Sequence, residues 1–209
     1  VAEVLDVLGA GDDVAMVTDA GTPGISDPGE RLVRAALDAG FDVSAVPGPS
    51  ADVMALVLSG LPTSRYVFEG FLPRSGRDRS ARLAEIAAER RTVVLYEAPH
   101  RIRRTLDDLR ESCGDDRRAA VARELTKLHE EVLRGTLAEI AAAIGEPRGE
   151  YVVVLEGTTT GDEPADDDAI RAALRAELAE GATKKEAVAS VASALGTPKK
   201  RVYALAIAL

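Results

Sequence analysis

The 209-residue sequence has little of several residue types on which common protein chemistries depend. Its one cysteine, Cys113, excludes an internal disulfide and a thiolate metal site, and fits a reducing, cytoplasmic setting. Its two histidines, His100 and His129, lie far apart in the sequence and the carboxylates are scattered, so we expect no metal site. No apolar run reaches the roughly 18 residues that would span a bilayer, and we expect no membrane partner.

Two common enzyme motifs are missing, and positive charge is scarce. There is no Gly-x-Ser-x-Gly elbow for a serine nucleophile and no Gly-x-x-x-x-Gly-Lys-Ser/Thr loop of a P-loop NTPase. The 26 Lys and Arg residues are outnumbered by 35 Asp and Glu, for a net charge of −9, which argues against a uniformly basic nucleic-acid-binding protein. Residues 65–104 nevertheless hold 10 arginines against 5 acids, which predicts a local basic surface.

Apolar runs alternate with helical patterns and predict an α/β fold. In the first part of the chain we predict strands at 14–18 and 41–46, each followed by a helix, and this βαβ pattern favours a parallel sheet. The loop at 19–29 is rich in glycine and proline and follows the first strand, where ligands bind in open α/β sheets. Further strands are predicted at 66–68, 92–96, 119–122, 131–133 and 151–155.

Composition divides the chain into four segments. We predict the remainder of an N-terminal α/β domain at 1–62, a second α/β domain at 63–157, an acidic linker at 158–168 and a helical tail at 169–209. The last two tail helices have helix-turn-helix spacing, and residues 183–209 hold 5 Lys and Arg against 1 acid. Contact with nucleic acid and a packing or dimerisation role are both open for this tail. The apolar pattern at residues 1–8 begins inside a helix, and we expect an N-terminal segment to be missing.

Six motifs in a fixed order connect the chain to a known family. They are DAGTPGISDPG (19–29), PGPSA (47–51), SGL (59–61), GFLP (70–73), YEAPHR (96–101) and RELTKLHE (123–130). Together they resemble the small-subunit ribosomal RNA methyltransferases among the tetrapyrrole-methylase-like, class III methyltransferases. The resemblance runs to about residue 156, and the helical tail is similar to that family's C-terminal extension.

The resemblance implies two α/β sandwich domains of the tetrapyrrole methylase type with a C-terminal helical extension. It implies transfer of a methyl group from S-adenosylmethionine to the ribose 2′-OH of a cytidine in 16S rRNA of the 30S subunit. It also implies a homodimer with the cofactor between the domains. The family has an N-terminal strand and a Pro-x-Gly-Asn-type loop in this pocket, which this sequence lacks, so we expect the cofactor pocket of this chain to be incomplete.

The family's site residues transfer to matching positions in this sequence. The resemblance places the cofactor against Asp19, Ala20, Gly21, Thr22, Pro23, Ile25, Ser50, Ala51, Gly149 and Glu150. A general base for the 2′-OH would come from Glu97, His100, Glu124 or His129, which the sequence does not rank. RNA phosphates would be bound by Arg74, Arg77, Arg79, Arg101 and Lys127, although arginines at helical spacing equally suit a solvated helix face.

Two alternatives remain open at this point. One is a small-molecule methylase of the same fold acting on a tetrapyrrole, which would not require the arginine-rich segment and the basic tail. The other is a non-catalytic binding module, which an incomplete cofactor pocket would favour.

Overall fold

The computed structural model describes residues 1–19, 21–26, 29–159, 166–179, 181–195 and 197–207. The chain divides into two compact units, Val1–Gly157 and Thr158–Leu209. Ala20, one of the predicted cofactor residues, and residues 160–165 of the predicted linker lie outside the described residues.

The first unit is built around a five-stranded mixed sheet with strand order β1-β2-β5-β3-β4. β1 and β2 are parallel, and the other neighbours are antiparallel. The strands are β1 (Tyr66–Phe71), β2 (Thr92–Glu97), β3 (Arg118–Arg123), β4 (Glu131–Thr136) and β5 (Tyr151–Leu155). The helices are α1 (Ala2–Gly9), α2 (Glu30–Asp38), α3 (Ala51–Ser59), α4 (Gly76–Ala88), α5 (Ile102–Cys113) and α6 (Leu137–Ala143).

Each face of the sheet has its own hydrophobic core, because successive strand residues point to opposite faces. Val93 and Leu95 pack with Leu106 of α5 on the face covered by α4, α5 and α6. Val94 and Val154 pack on the opposite face against α3. The central strands β2, β3 and β5 are therefore buried on both sides, which explains their nearly continuous Val, Leu and Ala runs.

The strands predicted at 14–18 and 41–46 are absent, and these predictions were wrong. No strand is assigned among the described residues of 1–62, so the expected parallel sheet of that part does not form there. Val17 is 85% exposed and Val46 is 91% exposed. A strand is completed by pairing with a neighbouring strand and by burial of its apolar face, and neither segment is assigned to a strand or buries its valines.

The domain boundary predicted at residue 62 stays a prediction. α3 belongs to the predicted first domain by sequence. Ala55 and Leu56 of this helix nevertheless are part of the core on the sheet face opposite α4, α5 and α6. Arg134 of β4 also donates from Nε to the carbonyl of Leu58 at 2.7 Å, which ties the end of α3 to the sheet.

The second unit is a bundle of the helices α7 (Asp167–Ala179), α8 (Lys184–Ala194) and α9 (Lys199–Ile207). Its core contains Ile170 and Leu174 of α7, Val188 and Val191 of α8, and Val202 of α9. α8 begins with a capping box, in which Thr183 accepts from the backbone N–H of Glu186 and Glu186 accepts from the backbone N–H of Thr183. No helix in the described parts of the chain has both the length and the apolar character to cross a membrane.

Candidate active site

Eight of the nineteen predicted site residues lie in segments that emerge at one edge of the sheet, namely 97–101, 123–130 and 149–150. The register pairs Glu97 with Tyr151 and Arg123 with both Tyr151 and Glu131. The carboxyl ends of β1, β2 and β3 therefore lie beside the amino ends of β4 and β5. We call this the site edge, and the segments 70–73, 97–101, 123–130 and 149–150 all emerge there.

The two glycine- and proline-rich loops of the first part contact each other and reach the site edge. Thr22 donates from Oγ1 to the carbonyl oxygen of Pro49 at 2.9 Å, which joins loop 21–26 to loop 47–50. A Cβ atom at Gly70, near the end of β1, would lie 3.4 Å from Oγ of Ser26. These contacts bring the two predicted cofactor loops together beside the sheet.

The geometry of loop 21–26 suits close approach of a ligand to backbone. Gly21 and Gly24 have φ angles of 75° and 86°, and a Cβ atom at either position would meet nothing within 4 Å. Pro23, Gly24 and Ile25 line a depression of about 400 Å³ together with residues of α2. The loop thus has the open, glycine-containing backbone that a small cofactor requires.

Asp52 connects this loop region to β2, a role that the sequence interpretation missed. Its carboxylate is buried in the first turn of α3 and accepts hydrogen bonds from the hydroxyls of Ser50 and Tyr96, the latter at 3.2 Å. Tyr96 also makes edge-on ring contacts with Phe68 and Phe71, with centroid distances of 4.9 and 5.7 Å. Asp52 is the single charged residue in α3, and that was a signal in the sequence.

The loop after β3 is held by a reciprocal clamp between Glu124 and Glu150. The backbone N–H of Glu124 donates to the carbonyl of Glu150, and Oε1 of Glu124 accepts from the backbone N–H of Glu150, both at 3.2 Å. Nζ of Lys127 lies 3.0 Å from a carboxylate oxygen of each glutamate. The structure thus brings together Glu124 and Lys127 of the motif at 123–130 with Gly149 and Glu150, which the resemblance placed against the cofactor.

This clamp requires unusual backbone geometry. Glu124 and Thr126 have φ angles of 49° and 65°, a region that residues other than glycine rarely adopt. Gly149 has φ of 75°, and a Cβ atom there would lie 2.2 Å from Oε1 of Glu124. Strained backbone of this kind clusters at functional sites, which supports a site here.

The charged groups of the clamp stabilise one another in their ionised forms. The hydrogen bond from Lys127 lowers the pKa of the Glu124 carboxyl, and the backbone N–H of Glu150 adds to this effect. Hydrogen bonds to Glu150 and then Glu124 raise the pKa of the Lys127 ammonium. Glu124 therefore remains a carboxylate and Lys127 a cation at neutral pH.

Glu97 and two of the predicted RNA-binding arginines form a buried polar network. Glu97 is 2% exposed, accepts from Oγ1 of Thr105 at 2.6 Å and forms an ion pair with Arg101, whose Nε lies 3.1 Å from its carboxylate. Arg79 is 3% exposed and donates to Asp108, Thr105 and the carbonyl of Pro73 at 2.7 to 2.9 Å. Arg101 donates to the carbonyl of Leu72 at 2.6 Å. The positions of Glu97 and Arg79 favour a structural role in fixing the loop at 70–73.

The other predicted residues are at the surface. His100 lies in the turn between β2 and α5, and His129 lies near the tip of the loop after β3, and both are exposed. Arg74 and Arg77 are exposed just before and at the start of α4. No cluster of three or more His, Cys, Asp or Glu suited to a metal ion occurs within the described ranges.

The fold and this site match a known class of protein. The family model for tetrapyrrole (corrin/porphyrin) methylases matches residues 1–141, more than half of the chain. The methyltransferase CobJ superposes with a TM-score of 0.57 at 21% identity, over 76% of this chain and 70% of that one. Cobalt precorrin-4 methyltransferase CbiF gives 0.54 at 16% identity, over 74% and 68%. The class is that of the tetrapyrrole methylases, which confirms the predicted fold class.

Sequence relatives narrow the class further. The chain is 45% identical to ribosomal RNA small subunit methyltransferase I of Synechocystis sp., over 99% of this chain and 75% of the relative. It is 48% identical to the protein of that name from Mycobacterium tuberculosis, over 93% of this chain and 67% of the relative. The chain belongs to the ribosomal RNA small subunit methyltransferase I family. It is a methyltransferase, and S-adenosylmethionine is its cofactor, as the motifs implied.

Proposed function

We propose that the chain methylates the ribose 2′-OH of a cytidine in 16S rRNA of the small ribosomal subunit, with S-adenosylmethionine as the donor. The observation that carries this proposal is the identity of 45–48% to relatives named for small-subunit rRNA, over at least 93% of the chain. The solved tetrapyrrole-pathway methyltransferase CbiF is only 16% identical, so the tetrapyrrole alternative has no comparable support.

The cofactor would be held by the two joined loops at the site edge. Thr22 fixes loop 21–26 to loop 47–50, so that the glycine backbone lies open to a ligand. The Asp19 carboxylate suits the ammonium group of the cofactor's methionine end, and exposed backbone N–H groups suit its carboxylate. Pro23, Ile25 and Ala51 offer apolar contact, and Gly149 and Glu150 would form the opposite wall. When bound, the cofactor supplies a methyl group on a sulfonium, which is a good leaving group.

The protein's own contribution would be positioning and removal of one proton. In-line displacement depends mainly on holding the 2′-OH against the methyl group. His100 and His129 are our leading candidates for the base, because both imidazoles are exposed at the site edge. Glu124 is engaged by Lys127 and by the Glu150 N–H, and Glu97 is buried with its oxygens occupied, so both rank lower.

The RNA would contact exposed cations around the site edge. Arg74 and Arg77 are accessible to phosphates, and Lys127 lies within the strained loop. We leave Arg79 out of this surface because its guanidinium donors are satisfied internally, and Arg101 contributes mainly through the loop it holds. We also propose a homodimer, which the family resemblance implies, and a cytoplasmic location, because the substrate is a ribosomal subunit.

The test is transfer of labelled methyl groups to 30S subunits that lack the modification, with the label mapped by nuclease digestion and mass spectrometry. We expect label on one cytidine ribose. Thr22→Val, which removes the bond to Pro49, should lower cofactor affinity about five- to tenfold, the equivalent of one hydrogen bond. Thr63→Val, at the opposite end of β1, is the matched control and should leave affinity unchanged. Label on a base, or on no RNA at all, would overturn the proposal.

A further inference from the structure

α9 presents a coherent exposed face that the bundle of the second unit does not use. Val202 and Ala206 of α9 are buried in the core of the unit. Lys199, Lys200, Tyr203, Ala204 and Ile207 are all exposed, and at 100° per residue they occupy one side of the helix. Tyr203 is 57% exposed and Ile207 is 64% exposed, although both side chains are large and mostly apolar. We call these five residues the α9 face. It combines positive charge with large, mostly apolar side chains and is open to solvent.

The chemistry of the α9 face is that of a nucleic-acid contact. Tyr203 follows Lys199 by four residues and Lys200 by three, so the three side chains are neighbours on the helix surface. Within the described residues no ion pair engages either lysine, whereas the neighbouring Arg201 pairs with Asp167 at 2.7 Å. Two lysines beside an exposed aromatic ring suit contact with phosphates next to a stacked base.

Positive charge dominates within residues 183–209, and the acids of α7, of which Asp167 pairs with Arg201, lie outside this segment. In residues 183–209 the one acid is Glu186, and its carboxylate is occupied in the capping box at the start of α8. Lys184 donates to the carbonyl of Ala206 at 3.0 Å, which adds a further positive charge near the end of α9. The basic side of the unit thus complements a polyanion on a protein whose net charge is −9.

We infer that the α9 face is a second RNA-binding surface, which contacts the phosphodiester backbone through Lys199 and Lys200 and stacks an unpaired base on Tyr203. This inference rests on the proposed function, because it takes the substrate to be RNA. It assigns the tail a role in substrate recognition that is separate from the cofactor site. A ribosomal protein or a second copy of the chain on this face would be a different outcome of the test.

The test uses the full chain and measures binding to 30S subunits lacking the modification, across a range of salt concentrations. Lys199→Gln with Lys200→Gln should weaken binding about tenfold and reduce the slope of log affinity against log salt by about 1.5. Tyr203→Ala should weaken binding about tenfold with the slope unchanged, and Tyr203→Phe should bind normally because it retains the stacking ring. Lys185→Gln with Arg175→Gln removes two charges from exposed positions on α8 and α7 and is the charge-matched control.

Three further readouts separate the outcomes. All variants should bind S-adenosylhomocysteine like the unaltered chain, which shows that the first unit is intact. Protein-free 16S rRNA as the ligand should reproduce the effects, and effects seen only with assembled subunits would assign the α9 face to a ribosomal protein and overturn the inference. Equal salt slopes for the lysine variant and the control would also overturn it. If the unaltered chain binds and methylates no RNA, the proposed function itself fails.

Discussion

At the scale of single residues, the network around Glu97 buries charged groups that each need a polar partner. A buried cation is tolerated only where its donors are paired, and Arg79 meets this condition through Asp108, Thr105 and a backbone carbonyl. Thr105 passes the network on to Glu97, which in turn pairs with Arg101. Two arginines thereby hold the carbonyls of Leu72 and Pro73, so the conformation of a loop at the site edge depends on one carboxylate.

Replacement of Glu97 tests whether it acts as a base or as a structural anchor. Glu97→Gln keeps the shape but removes the charge opposite Arg101, and it should lower the free energy of unfolding by about 2–4 kcal/mol. Urea denaturation measures this loss. Glu85→Gln, at a carboxylate whose side chain is 70% exposed, is the control and should change stability little. A fully stable Glu97→Gln protein without methyl transfer would instead point to a catalytic role.

At the scale of elements, two loops at the site edge hold the site residues in backbone conformations with positive φ angles. The loop after β3 places Glu124 and Thr126 at positive φ, and the loop before β5 requires glycine at position 149. The two loops hold each other through the Glu124–Glu150 clamp. The backbone strain of each loop is compensated by hydrogen bonds from the other. A substitution in one loop should therefore alter the conformation of both.

Gly149→Ala should therefore disturb the clamp without removing any of its hydrogen-bonding groups. The added Cβ conflicts with the Glu124 carboxylate and with the positive φ, and we expect a loss of about 1–3 kcal/mol in the free energy of unfolding. Methyl transfer should fall by more than the stability loss explains, measured as kcat/KM on subunits under conditions where the variant is folded. Gly145→Ala, in the same connection, meets no atom within 4 Å and should behave like the unaltered chain. Equal activity of both variants would contradict a role for the clamp.

The elements show where sequence patterns suffice and where they fail. The strands around Val93, Val121 and Val153 were predicted from short apolar runs. A strand that is buried on both faces needs apolar residues at successive positions, so it produces such a run. Val17 and Val46 have the same pattern but no strand partner, and a single segment does not encode whether a partner is present. Arg79 was grouped with exposed arginines, although its spacing to Leu83 and Ile86 puts it on the buried face of α4. The Asp52 and Glu124 contacts join distant segments and needed the three-dimensional structure.

At the scale of the whole molecule, the chain has separate cores for its two units. The first unit packs its sheet between helices, and the second packs α7, α8 and α9 around Leu174, Val191 and Val202. Among the residues that the structure describes, each of these cores is formed within one unit. The cofactor candidates all belong to the first unit and the α9 face to the second, so the two proposed binding functions rest on separate cores.

Leu174→Ala tests this separation. The side chain is fully buried, and its truncation should destabilise the second unit by about 2–4 kcal/mol. Hydrogen exchange followed by mass spectrometry should show faster exchange in peptides of α7–α9 and unchanged protection in β2 and β5. Leu109→Ala, at an equally buried position of α5, is the reciprocal variant and should affect only the first unit. Loss of protection in both units from either change would contradict separate cores.

The packing of α3 has a practical consequence for dissecting the molecule. A fragment beginning at residue 63, the boundary that composition suggests, would retain all five strands but lose the helix that covers one face of them. Val94, Val152 and Val154 would then form an uncovered apolar sheet surface, the kind that drives association between copies. Such a fragment should precipitate or self-associate on expression, whereas one that begins before Ser50 keeps the face covered. We therefore expect a soluble fragment of the first unit to include α3, a helix that precedes the sheet in the chain.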